Sequence, residues 1–376
     1  MGRATPHRSG TDRSEKWRQR PAVAQCAPMA ITEHDLGPKD PATATPRRRP
    51  GWIRRTTTID TVRPDDIHGR SVVDARARDG ITLSDGSWST IDTASYLAGI
   101  DGLGGMITAM EMSPPDARFD VLVGSSARAG FRRLIATVID DPIGADSLVH
   151  QLLDDLPGAT LVAGYAIQNH EATVGGGLMT ELTSANPEYL LDQADQCAGW
   201  LSDGVMLSEF RAVQRLPNVV GPPAPDLDTD TDPDAWHEMG DLPPHGMRRR
   251  RRLDLGPVRS DGTARFDIHF RDNHLNPWRG ERVVHEYEVT GTIDATRRVA
   301  TDISVIARVL PWVECPGAVG SAQRVLDVPL VDLRTVVRMD FTGTSTCTHL
   351  NDVLRGLADL PTLLDRRDRH TPARTS

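Results

Sequence analysis

Lysine is nearly missing from this chain. Of 376 residues only Lys16 and Lys39 are lysines, and the remaining fixed positive charge is arginine. That bias is a habit of composition and assigns no mechanism. Long apolar runs are missing too, and none approaches the roughly 18–20 residues that a membrane-spanning helix needs. The N-terminus lacks the apolar core of roughly 7–15 residues that a secretory signal carries. The expected location is therefore cytoplasmic, with no membrane partner. Cysteine is scarce: Cys26, Cys197, Cys315 and Cys347 are all there are, and no two form a CxxC pair. In a reducing compartment such residues are thiols or ligands, not disulfides. There is no GxSxG nucleophile elbow and no HExxH zinc motif. "GIDGLGG" (Gly99–Gly105) has no strand before it and helix after it to make a phosphate loop, and "VGGGL" (Val174–Leu178) reads as a loop.

What is present is an ordinary soluble composition with a net charge of −9 and a length comfortable for two domains. Residues 1–51 are polar and rich in Arg, Pro, Thr and Ala, with no periodic apolar pattern, and read as a disordered tail. Met29 is a second candidate start; were it the true one, Cys26 would drop out.

The second half carries the clearest pattern. In "ARFDIHF", Ala264, Phe266, Ile268 and Phe270 alternate with polar residues. In "RVVHEYEVTGTI", Val283, His285, Tyr287, Val289 and Ile293 share a face. In "RVATDISVIARV", Val299, Ile303, Val305 and Val309 do so. Period two over three consecutive runs predicts three half-buried strands. Helical spacing follows in "CPGAVGSAQRVLD", "PLVDLRTVVRM" and "THLNDVLRGLADL". Strands followed by helices give an α+β layer, an antiparallel sheet with helices packed on one face.

The first half echoes the second. "RRTTTID" (Arg54–Asp60) matches "RRRLDL" (Arg250–Leu255), and "VDARARD" (Val73–Asp79) matches "FDIHFRD" (Phe266–Asp272). "GSSAR" (Gly124–Arg128) matches "GSAQR" (Gly320–Arg324), and "LLDDLP" (Leu152–Pro157) matches "GLADLP" (Gly356–Pro361). The order is kept, which points to two tandem related units. The boundaries expected are a first unit over 52–175, a helical connector with an acidic Pro-rich linker over 176–247, a second unit over 248–364 and a disordered tail over 365–376. Asn186–Leu201, with Cys197, reads as helical. The arginine run Arg248–Arg252 suggests nucleic acid at first sight. It sits after an acidic linker able to neutralise it, and at a unit's start, so nucleic-acid binding is not the preferred reading.

"RRTTTID", "LLDDLPGATLVAG", "CAGW", "MRRRRRLDL", "HFRDNH", "VLPWVECP" and "STCTHLND" together resemble the actinobacterial branch of the family known as domain of unknown function 2889. The resemblance runs from about Trp52 to Leu364 and implies no activity. The second half is also distantly similar to iron–sulfur cluster assembly scaffolds of the NifU type. There, as here, a sheet precedes helices, one cysteine stands before a helix (Cys315) and another opens the last helix (Cys347). The scaffolds' first cysteine is replaced here by the neighbourhood of His285 and Glu286, and the histidine follows Cys347.

These residues define the candidate site. Cys315, before Pro316, suits an N-cap, and Cys347 lies at a helix start with Thr346 or Thr348 as cap. Helix N-termini favour the thiolate, the form that binds metal or attacks. If Cys347 is still in the loop, it and His349 can reach one ion; if the helix has begun, they cannot. His285 points to the helix-covered face of its strand and Glu286 away. A zinc ion or an iron–sulfur cluster held by Cys315, Cys347 and His285, with His349 or Cys197 completing the set, is the leading reading. The first unit has "SPPD" and "ADSLVH" in the matching places, so one site per chain is expected. The competing readings are a non-catalytic adaptor with a protein partner, whose cysteines only pack, and a thiol-dependent enzyme acting on a small molecule. In "HFRDNH", Arg271 and Asp272 read as a structural ion pair.

Overall fold

In the computed structural model, which describes residues 31–102, 105–227 and 232–370, the alternating runs form one antiparallel sheet of eight strands. The strands are β1 (Ile53–Val62), β2 (Ser71–Thr82), β3 (Trp88–Ile100), β4 (Ile107–Ser113), β5 (Met247–Leu255), β6 (Thr263–Asn276), β7 (Gly280–Asp294) and β8 (Val299–Val309). Their order across the sheet is β4-β3-β2-β1-β5-β6-β7-β8. Each half is a meander, and the order reads the same outward from the middle. The two sheets expected from the sequence are thus one sheet. The join is the β1–β5 pair, in register from Ile53↔Leu255 to Thr61↔Met247.

The helices are α1 (Phe131–Val138), α2 (Ser147–Val162), α3 (Gly164–Val174), α4 (Leu178–Ala185), α5 (Pro187–Leu191), α6 (Val205–Val213), α7 (Leu333–Asp340), α8 (Thr348–Gly356) and α9 (Leu360–His370). The class is α+β. Leu152, Leu153 and Leu156 of α2, and Leu350, Val353 and Leu354 of α8, are buried in the cores of the two halves. Each such side chain contributes about 2 kcal/mol of burial. Among the described residues no helix is long and apolar enough to cross a membrane.

The other face of the sheet is covered by extended chain. Residues 31–51, which composition assigns to a disordered tail, first run beside the edge strand β8, where Lys39 bridges to Val309. They then cross the other face, where Arg271 donates to the Ala42 carbonyl at 2.6 Å and Arg54 donates to the Pro46 carbonyl at 2.8 Å. The end of the acidic linker lies there too. Trp236 lies under the Arg250 guanidinium at 4.4 Å, and His237 lies between the Thr56 and Thr58 hydroxyls at 2.9 and 2.8 Å. At the C-terminus α9 continues past residue 364, and Arg366 bonds Asp79 and Asp92. The segment expected as one helix with Cys197 breaks after α5 into turns and a short 3-10 helix, Ala198–Trp200. Cys26 and Met29 lie outside the described residues, as do Leu103 and Gly104 of the glycine-rich run.

The arginine run is β5, and every residue of that strand is buried. Alternation sends Arg249 and Arg251 to the helix face and Arg248, Arg250 and Arg252 to the other. Arg248 meets Asp60, Arg249 meets Asp272 and Asp352, Arg251 meets Asp155, and Arg252 meets Asp254 and Asp267. These carboxylates come from strands and helices, where the sequence suggested the linker. All five guanidiniums are enclosed in the fold. Arg271 and Asp272 do not pair with each other, because neighbours on a strand point to opposite faces. Arg271 bonds Glu286 at 2.8 Å, and Asp272 bonds Arg249 at 2.8 Å.

Candidate functional site

The register of β6 on β7 pairs Asp272 with His285, then jumps to pair Asn273 with Val283. The skipped residue, Val284, makes a bulge, which bends a strand and re-aims side chains. Val284 and His285 therefore both line one cavity although they are consecutive. Glu286 points the other way, to His269 at 2.5 Å and Arg271. His269 of "HFRDNH" thus belongs to the opposite face, while Asp272 and His274 share the helix face.

His349 is the second residue of α8. The helix starts at Thr348, and Cys347 is itself the N-cap, with extended backbone. The neighbouring threonines do not cap this helix. Because Cys347 is still outside the helix, its Sγ lies 4.0 Å from His349 Nδ1. Cys315 is the first residue of its 3-10 helix, with Glu314 at the cap position.

His349 stacks on His285, with ring centroids 3.5 Å apart and planes inclined by 19°. Both rings turn a nitrogen toward Asp272 Oδ2, at 3.4 Å for His285 Nδ1 and 3.9 Å for His349 Nε2. Those two nitrogens are buried and have no hydrogen-bond partner. Asp272 is fixed from behind by Arg249, whose Nε and Nη2 donate to its two oxygens at 2.8 and 3.1 Å. Arg249 Nη1 donates to Asp352 at 2.7 Å. Burial pushes the Asp272 carboxyl up, but Arg249 and His285 outweigh it and hold it well below the usual carboxylate range. Burial, and then the neighbouring His285, push the His349 imidazole down to about 3, so it is neutral at physiological pH. The group is one carboxylate beside a neutral imidazole and a second imidazole, a donor set suited to zinc or ferrous iron.

Of the residues singled out in the sequence, His285 and His349 come together, and beside them stands Asp272, which the sequence pattern had paired with Arg271. Among the described residues, Asp272, His285 and His349 are the only three ligating groups within 4.8 Å of one another, so no cysteine belongs to such a set. Cys197, Cys315 and Cys347 form a neighbourhood of their own around Tyr287, with which all three interact electrostatically. A Cβ on Gly199 would stand 2.8 Å from Cys315 Sγ, which leaves room there only for glycine. Burial and the Cys347 charge push Cys197 up to about 11, and burial raises Cys315 and Cys347 as well. Helix N-termini were expected to lower them; loss of water outweighs that partial charge here.

The histidines open onto a cavity of about 430 Å³, within the range of small-molecule sites. Its wall also includes Tyr165, Cys197, Trp200 and Trp312, with α3, α4, α5 and the strand of chain after α6 closing the far side.

The fold and site define an α+β protein with a carboxylate–bis-histidine group beside an apolar cavity. Residues 247–362, a little under a third of the chain, match the model of a family described as "Protein of unknown function (DUF2889)". The match spans β5 into α9 and contains Asp272, His285 and His349, together with Cys315 and Cys347. The far wall of the cavity, including Tyr165, Cys197 and Trp200, lies before it. No curated protein and no solved structure matches the chain.

Proposed function

We propose that this protein binds one divalent transition-metal ion, zinc or ferrous iron, at Asp272, His285 and His349, beside a cavity that takes a small molecule. The observation that carries the reading is the pair of buried, unpartnered nitrogens, His285 Nδ1 and His349 Nε2, both turned to Asp272 Oδ2. Ligands held about 2.0–2.2 Å from one tetrahedral ion stand about 3.3–3.5 Å apart. The 3.4 Å contact is already there, and the 3.9 Å contact needs a small closure. Nearly parallel rings cannot both aim in-plane at a single ion, so one imidazole must turn about its Cβ–Cγ bond on loading.

That stacking favours a second reading. Asp272 can hold His285 Nδ1–H, leaving the other ring nitrogen as a proton acceptor for a molecule in the cavity. In this reading the site is an acid–base dyad.

Elemental analysis of untagged protein separates the two. Near-stoichiometric zinc or iron in the parent, lost in His285→Gln and His349→Gln, supports the metal centre. Retention of that metal in a Cys315→Ser, Cys347→Ser double variant assigns it to the histidines. Its loss there returns the ion, or an iron–sulfur cluster, to the cysteines. A metal-free parent that stays so after zinc or anaerobic ferrous loading overturns the metal reading and leaves the dyad. The two tandem units belong to this reading as well. The mirrored strand order and the ordered sequence matches support a duplication in which the second unit carries the site.

A further inference from the structure

We infer that the cavity takes an apolar, ring-bearing carboxylic acid, held by its acid group at Lys39 and Arg215. This rests on the reading of the cavity as a ligand site and is independent of the metal. Apart from the histidines, the charged side chains among the lining residues are Lys39, Glu171 and Arg215. Glu171 is committed to the protein itself. It accepts from the Met179 and Thr180 amides at 2.8 Å each and from the Thr180 hydroxyl at 2.8 Å, and it contacts His68 Nε2 at 2.7 Å. Its charge is therefore spent on the start of α4.

Lys39 and Arg215 are different. Both are exposed, and neither side chain makes a hydrogen bond or ion pair with another described residue. Among the described residues more than half of the arginines are tied to carboxylates, and Lys39 is one of two lysines in a chain of net charge −9. A free lysine and a free arginine, in a cavity whose one carboxylate is already held by backbone amides and His68, favour an anion over a neutral or cationic guest.

The rest of the wall fixes the body of that guest. Tyr165, Tyr189, Trp200 and Trp312 offer ring faces and edges, and Met179, Met206 and leucines fill between them. Aromatic walls bind flat or alicyclic rings by stacking and edge contacts. Lys39 fixes one end of the molecule. Its backbone bridges to Val309 of β8, which pairs with Glu286 of β7, so it stands two strand positions beyond the strand that carries His285, with β8 between them. An acid group at Lys39 leaves the ring system to the rest of the cavity, which Trp312 and the histidines also line.

The test is calorimetric titration of metal-stripped full-length protein with 2-naphthoate and with its neutral counterpart, 2-naphthylmethanol. The expected result is at least tenfold tighter binding of the acid. In a Lys39→Gln, Arg215→Gln double variant that preference disappears while the alcohol binds as before. Equal binding of the two probes by the parent overturns the inference. So does binding of neither, or an acid preference that survives in the double variant. Acid preference in a protein that never takes up metal would sink the metal centre and leave this inference standing; metal uptake with no naphthoate binding would do the reverse.

Discussion

Arg251, in the strand that opens the second half of the chain, donates to Asp155, in a helix of the first half, at 2.7 Å, with both side chains fully buried. The converse contact is also present: Arg55 of β1 meets Asp359, just before α9, at 2.9 Å. Each half supplies a strand arginine to a helix carboxylate of the other. Removing one partner of a buried pair leaves a stranded charge and costs about 3–5 kcal/mol, whereas replacing both by apolar groups is often close to neutral. Asp155→Leu alone should therefore lower the urea midpoint sharply, and Arg251→Met with Asp155→Leu should recover most of the loss. Additive losses in the double variant would show that the pair does not act as a unit.

Gly158 lies where α2 passes the same network. A Cβ there would fall 2.2 Å from Asp352 Oδ2 and 2.4 Å from Arg249 Nη1. Both groups are locked in ion pairs and cannot swing aside. Gly158→Ala is expected to cost about 3 kcal/mol despite the higher helix propensity of alanine, since overpacking a buried site costs about 1–3 kcal/mol and loosening the ion pair adds to it. Thermal unfolding measures this. An unchanged or higher melting temperature would mean that the helix can shift away from β5.

His237 gives the fold an acid-sensitive point. Burial, and then Arg78, Arg250, Arg76 and Arg248, push its imidazole down to about 3. In the unfolded chain the same group titrates near ~6.5. Between those values the unfolded state holds a proton that the folded state lacks, so stability is full above about pH 6.5 and falls as pH drops toward the folded value, by up to ~1.4 kcal/mol per pH unit. Urea midpoints at pH 7 and pH 5 should separate more in the wild type than in His237→Gln. Parallel pH dependence in the two proteins would remove His237 as the cause.

The thiols should behave as buried groups. In a Cys26→Ser background, an aromatic disulfide reagent is expected to reach half-buried Cys197 first, with Cys315 and Cys347 reacting only on unfolding. The Cys197 rate should still be climbing at pH 9, because its thiol is pushed up to about 11. A plateau near neutral pH would instead reveal an activated thiolate, and with it the thiol-enzyme reading.

The parts legible in the sequence were those written in a local period. β6, β7 and β8 show as alternating runs, α7 and α8 as helical stripes, and the inward direction of His285 follows from the residues flanking it. β5 was not legible as a strand, because a central strand buried on both faces shows no alternation. Its "MRRRRRLDL" looks like surface until the facing carboxylates are known. Asp272 was named, then assigned to its chain neighbour Arg271, because only the cross-strand register shows that its partner is Arg249. The cavity was invisible for a similar reason. Its two walls are far apart in the chain, and the bulge at Val284 that turns two consecutive residues into it has no local signature.

Two copies of one chain joining sheet edges across a two-fold axis form an antiparallel strand pair. The β1–β5 join is that contact made within a single polypeptide. A shorter chain holding only residues like 247–362 would expose β5 as a bare edge, its arginines short of the carboxylates that the first half supplies. Such a chain could regain both the edge and the missing acids by pairing with itself. The long chain meets both needs by itself: β1 covers the β5 edge and Asp155 meets Arg251, while the far wall of the cavity lies outside the stretch that carries Asp272, His285 and His349, so it can change shape without touching the histidines.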